Sequence, residues 1–214
     1  MMKPALFLTT ALLTAGTAQA DVLGLTAEAG YFLPSADSSS IDGTSANLDG
    51  NNGAYFGIAF EHPLPVVPNI RFQSIDLSAN SSSQKLDLSH QDYTLYYELL
   101  DGLLWIDLDV GLTVRKFSGS VRTSGHSRDI SSVYPLGYAS GYITIPGTRV
   151  SLGGELKAGG FDGATIADTT LKIKYQTPFL VGVEGGYRRA NIDLDDKDVK
   201  STFSGAFVGA FIDF

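Results

Sequence analysis

The chain has 214 residues, no cysteine, and 15 Lys and Arg against 23 Asp and Glu, a formal charge of −8. That composition excludes a disulfide scaffold, thiol catalysis and cysteine-held metal sites. It also suits nucleic acid poorly, because phosphate binding needs a basic surface.

In chain order, residues 1–20 (MMKPALFLTTALLTAGTAQA) come first and read as a leader. Lys3 supplies a positive start, residues 4–15 a mostly apolar stretch, and Ala18-Gln19-Ala20 a cleavage pattern ahead of Asp21. The apolar stretch is shorter than the ~20 residues a membrane helix needs. No cysteine comes after it to carry a lipid anchor. The expected mature chain, 21–214, is one domain. It keeps 14 Lys and Arg against 23 Asp and Glu, a formal charge of −9. It has no run of 18 consecutive apolar residues, hence no expected membrane helix.

From residue 23 onward the chain alternates with period two, the signature of strands. Residues 23–32 set Leu23, Leu25, Ala27, Ala29 and Tyr31 against Gly24, Thr26, Glu28 and Gly30. Residues 54–62 set Phe56, Ile58 and Phe60 against Tyr55, Gly57, Ala59 and Glu61. Residues 70–78 alternate less cleanly, which predicts a bulge near Ser74. Residues 92–100 and 103–115 alternate strictly, with a two-residue hairpin turn expected at Asp101-Gly102. Residues 135–145 place Tyr138, Ser140 and Tyr142 opposite Gly137, Ala139, Gly141, Ile143 and Ile145. Residues 150–158, 170–176, 181–188 and 205–214 complete ten strands. Short turns at 62–69, 101–102, 146–147 and 177–178 are expected at one end. Longer polar loops at 33–52, 79–86, 118–130, 159–164 and 193–200 are expected at the other.

This pattern predicts an all-β fold. It is a closed, antiparallel, up-and-down transmembrane β-barrel of about ten strands, with eight as the alternative count. A soluble sandwich would turn its aliphatic face inward and its charges to water. Against that, the polar series is rich in glycine and balanced in charge, as a narrow lumen requires. The expected lumen-facing charges are Glu28, Glu61, Asp92, Glu98, Asp107, Asp109, Glu155 and Glu184, with Arg71, Arg115, Lys157, Lys172, Lys174 and Arg188. Aromatics sit near strand ends on the apolar face, as interfacial girdles do. An open sheet edge cannot persist in hydrocarbon. Strand 205–214 must therefore close on the first strand, with Ala206, Val208, Ala210, Ile212 and Phe214 toward lipid.

A closing strand that finishes on Phe214 resembles the assembly signal of Gram-negative outer-membrane proteins. FEHPLPVVPNIRFQ (60–73), LDLSHQDYTLYYELLD (86–101) and GVEGGYR (182–188) resemble a family of small proteobacterial outer-membrane β-barrel proteins within the wider OmpA/OmpW-like group of structural barrels and small pores. The resemblance implies residence in the outer membrane after Sec export. It implies lipid as the surroundings, and periplasmic chaperones and barrel-assembly machinery as partners in biogenesis. It also implies a monomer, no cofactor and no assigned activity.

Candidate chemistry is sparse. His62 reads as a turn residue. His126-Ser127 with Asp129 hints at a hydrolytic set, but adjacent residues rarely face each other for proton transfer. His90 and Asp92 share a strand face and read as solvated residues near an outer rim. The acidic run 193–198 lacks the central Gly and distal Glu of a calcium loop, and 47–54 reads the same way. Glycines in 153–163 open no helix, so they make no phosphate cradle. No catalytic, cofactor or metal site is expected. The favoured function is a structural or interaction barrel, or a narrow pore with a salt-bridged lumen. A barrel hydrolase of lipid or peptide using His90, Asp92 or His126, and a surface adhesin or receptor working through 33–52, are the alternatives.

Overall fold

The computed structural model describes residues 23–214 except Pro65; the expected leader, 1–20, lies outside the described residues. Strands β1 (Gly24–Ile41), β2 (Thr44–Ala46), β3 (Asp49–Asn51), β4 (Gly53–Glu61) and β5 (Asn69–Ile75) come first. They are succeeded by β6 (Ser78–Asn80), β7 (Lys85–Asp87), β8 (His90–Leu103), β9 (Ile106–Phe117), β10 (Gly119–Thr123) and β11 (His126–Ile130). The last five are β12 (Val133–Thr144), β13 (Val150–Phe161), β14 (Ala164–Gln176), β15 (Val181–Leu194) and β16 (Val199–Asp213).

Ten of these close an antiparallel ring in the order β1-β4-β5-β8-β9-β12-β13-β14-β15-β16, and β16 returns to β1. The seam runs from Thr26↔Asp213 to Ile41↔Val199, with one irregularity between Ala36 and Ser38. Beyond it, the Phe214 and Leu25 backbones exchange hydrogen bonds of 3.0 and 3.2 Å. The ring satisfies the backbone groups that a sheet edge would leave bare.

The expected strands are present, but most of the expected long loops are not loops. Residues 33–41 continue β1, 159–161 continue β13, 189–194 continue β15 and 199–204 continue β16. Hairpin turns at Asp42-Gly43 and Asp162-Gly163 take left-handed φ values of 51° and 70°, and 51° and 76°. The 79–86 and 118–130 segments fold into hairpins, and β3, β6, β7, β10 and β11 form a separate five-stranded sheet across that end. Two local expectations are corrected. No bulge occurs at Ser74. β5 pairs in register to Ile75, and then Asp76 donates its N–H to the Ala54 carbonyl at 2.9 Å as the chain leaves the ring. Nor is Asp101-Gly102 the β8–β9 turn. Leu104 and Trp105 occupy it, while pairing shifts between Glu98 and Leu103. The Asp107 carboxylate accepts the Gly102 N–H at 2.7 Å and stabilises that irregular stretch.

Outward positions divide the barrel into two zones. On β1 the outward side chains are apolar from Leu23 to Leu33, then polar at Ser35, Asp37 and Ser38. On β14 they are Tyr175, Ile173 and Leu171, then Thr169 and Thr165; on β15 Val181, Val183 and Tyr187, then Arg189 and Asn191. Ten residue steps on β1 at ~3.3 Å, tilted by about 40°, give a belt ~25 Å tall. The interior inverts in step. Opposite the belt it is charged; opposite the polar exterior it is an apolar core. That core joins Phe32, Phe117, Ile166, Ile192 and Phe203 to Leu77, Leu86, Leu88, Val121 and Ile130 beneath or within the five-stranded sheet. All of these are buried.

Candidate functional site

Inward-facing residues stack in three levels between the turn end and the covered end. The middle level is an ion-pair network of five acids and five bases: Glu28, Asp92, Glu155, Asp168 and Glu184 with Arg71, Arg115, Lys157, Lys172 and Arg188. They come from β1, β5, β8, β9, β13, β14 and β15, because alternation points these positions of every contributing strand inward.

The network has two halves. In the half nearer the apolar core, Arg115 grips Asp92 with two bonds of 2.8 Å and reaches Asp168 at 2.8 Å. Arg188 Nε donates to the other Asp168 oxygen at 2.8 Å, and Lys157 donates to Asp92 at 2.7 Å. Arg115 and Asp92 have no exposed surface. In the half nearer the turns, Arg71 bonds Glu28 at 2.6 Å and Glu155 at 3.1 Å. Lys172 sits 3.0 Å from both Glu28 and Glu184. The Tyr55 hydroxyl donates to Glu184 at 2.6 Å and Tyr142 to Glu155 at 3.0 Å. Gln73 joins the halves, donating to Glu28 at 2.8 Å and accepting from Lys157. Equal charge numbers and shared oxygens give most of these buried ions a partner, which burial demands.

The turn-end level is open. A vestibule of about 310 Å³ is lined by Glu61, Glu98, Asp107, Asp109 and Asp213, with Lys174. Its acids rest on neutral donors: Tyr96 to Glu61 at 2.7 Å, Ser140 to Asp109 at 2.6 Å, Thr26 to Asp213 at 2.9 Å. The Lys174 ammonium lies over the Phe211 ring at 4.4 Å. A second cavity, about 50 Å³, sits between network and core, lined by Glu28, Phe32, Tyr55, Lys157, Arg188 and Phe207 among others.

The fourteen charges expected in the lumen thus split. Glu28, Arg71, Asp92, Arg115, Glu155, Lys157, Lys172, Glu184 and Arg188 meet in the network, whereas Glu61, Glu98, Asp107, Asp109 and Lys174 line the vestibule. Phe214 lies exposed beside the mouth. Asp168 is a member that the strand pattern does not predict. It lies in the run 164–169, adjoining a segment expected to be a loop. Carrying the inward series Lys174, Lys172, Thr170 back two residues reaches it. His90 needs correction. It is buried rather than solvated, its Nδ1 2.8 Å from the Leu88 carbonyl and its Nε2 3.4 Å from Arg188. The extension of β8 and the sheet above it carry it into the interior. His62 sits in the β4–β5 turn against the Pro68 carbonyl at 3.3 Å. His126 and Ser127 are exposed on β11. Among the described residues no histidine ring is hydrogen-bonded to a serine hydroxyl, and no group of three or more His, Asp or Glu is placed to hold a metal ion. In the 193–198 segment Lys200 bonds Asp193 and Asp195, and this hydrogen bonding holds the Asp195 carboxyl below its ordinary pKa.

Compared with known protein families and with curated proteins, the chain finds no match among either.

Proposed function

We propose that this chain is an outer-membrane β-barrel that spans the bilayer through its apolar belt and serves as a structural or interaction element, with a closed interior. The carrying observation is the pair of seals across the lumen. Ions crossing would have to break a charge network containing fully buried Asp92 and Arg115, then pass an apolar core in which Leu77, Leu86 and Phe117 have no exposed surface. The belt supports the location, since ~25 Å is the height of a lipid-facing band. Its outward Tyr31, Tyr93 and Tyr187 match an interfacial girdle. By this reading the turn end faces the periplasm. The covered end stands clear of the membrane, where β1 continues past Leu33 to Ile41. There the five-stranded sheet offers a folded polar platform to other molecules.

Single-channel recording in planar bilayers tests the closed interior. Purified, inserted protein should give no discrete conductance steps. Reproducible steps of one size would contradict it.

A further inference from the structure

Turns that stand in water are built from Gly, Asn, Asp and Ser. Three of the four turns at the vestibule end are tipped instead by large apolar residues: Leu64 and Val66, Leu104 and Trp105, Phe179 and Leu180. Val66 is 84% exposed, Phe179 82% and Leu104 70%. Leu104, Trp105 and Leu180 also hold φ values of 57°, 64° and 65°. The left-handed region is costly for bulky side chains, and Asn-Gly would make the β8–β9 turn without that strain. Strain kept for exposed apolar tips points to something outside the chain that offsets it.

From this we infer that the vestibule end does not project into water, but is seated in the headgroup–acyl boundary of the membrane leaflet, with the turn tips as its anchors. The inference rests on the membrane reading above. Two observations choose lipid as the occupant. The tips continue the belt: outward-facing Tyr97 donates its hydroxyl to the Val66 carbonyl at 3.3 Å, so the β4–β5 turn is tied to the belt side of the barrel. The tips also stand on opposite sides of the ring: the β4–β5 and β8–β9 hairpins are neighbours, whereas the β14–β15 hairpin is separated from them by β12 and β13 on one side and by β16 and β1 on the other, with an acidic mouth between. A protein partner needs one contiguous patch; a bilayer interface meets a whole ring at once. Trp at such a rim suits the interface, where one side of the ring is apolar and the other wet. The acidic vestibule then opens level with the lipid headgroups.

Trp105 is the chain's single tryptophan, so its fluorescence reads this rim without labelling. The full chain is refolded into phosphatidylcholine vesicles whose acyl chains carry bromine either near the headgroup or deep in the bilayer. Trp105 emission should move to the blue, be quenched most by the shallow bromines, and lose at least several-fold of its sensitivity to aqueous iodide relative to urea-unfolded protein. A second protein, Trp105→Phe with Ile173→Trp, places the probe mid-belt and should be quenched most by the deep bromines. If that control behaves so while Trp105 stays open to iodide, the rim inference is overturned and the membrane reading survives. If Trp105 is shielded from iodide yet untouched by either bromine, the rim contacts protein, which also overturns it. If the mid-belt probe escapes both bromines, the membrane reading fails and takes the inference with it.

Discussion

Asp168 ties Arg115 and Arg188 together; Arg115 also holds Asp92, but among the described residues Asp168 is the one carboxylate that Arg188 bonds. Removing one partner of a buried ion pair leaves the others charged and undersolvated, at a cost of about 3–5 kcal/mol. Asp168→Ala should therefore lower unfolding free energy by about that amount in urea titrations of vesicle-inserted protein. Lys200→Ala, on an exposed pair with Asp193 and Asp195, should change nothing measurable. A second residue-scale case is steric. A Cβ on Gly209 would overlap the Tyr55 hydroxyl that bonds Glu184 and would also crowd the Ala29 carbonyl oxygen, at 2.7 Å. Gly209→Ala should destabilise by about 1–3 kcal/mol. The loss should shrink, without vanishing, in a Tyr55→Phe background, where the hydroxyl is gone and the Ala29 carbonyl remains; equal losses in both backgrounds would refute the hydroxyl contact. At this scale much of the site is legible in the sequence. Strict alternation identifies Glu28, Arg71, Asp92, Arg115 and their companions as one face. Asp168 and the burial of His90 escape it, because their strand segments are interrupted by Ala and Asp, which carry weak strand preference. Long-range pairing, not local preference, holds those segments extended.

Single strands show the polarity switch most clearly. On β14, Ile173 lies within the belt and Thr169, one step past Leu171, lies beyond it. An arginine on the lipid face at mid-depth costs about 2–4 kcal/mol, falling to about 0–1 near the interface. Ile173→Arg should thus weaken the inserted protein by the larger amount and Thr169→Arg by the smaller, measured by the same urea titration. Equal effects would contradict the belt boundary. The switch is hard to see in sequence because alternation persists through it. Ala164, Ile166 and Asp168 point in, and Thr165, Ala167 and Thr169 point out, so the period is unchanged while the identities trade sides. Turn chemistry misleads in the opposite way. Asp101-Gly102 carries the strongest local hairpin signal, yet the turn falls at Leu104-Trp105. Pairing of Leu103 with Ile106 and of Ile106 with Ile143 sets the register there, and packing across strands outweighs local preference.

For the whole molecule, ten alternating segments and the requirement that no edge stay bare imply a closed ring, and the chain closes that way. The apolar core under the five-stranded sheet has no such signature. Its residues come from short strands and from strand ends flanked by Ser, Asp and Gly, and no single stretch carries a run long enough to announce a core. That core makes the covered end resemble a water-soluble β-protein set on a barrel that, as proposed above, faces lipid. Leu86→Ala, at a position with no exposed surface, should cost about 2–5 kcal/mol; a loop merely draped over the barrel would lose almost nothing. The central claim is the inversion itself: apolar residues outward across the belt, charges inward. Because the chain has no cysteine, single cysteines can be placed at will and spin-labelled in vesicles. Labels at Leu152, Ile173 and Val208 should relax strongly with oxygen and weakly with a water-soluble nickel chelate, while labels at Thr165 and Asn191 should do the reverse. Ready access of the nickel chelate to the first three positions would contradict the account.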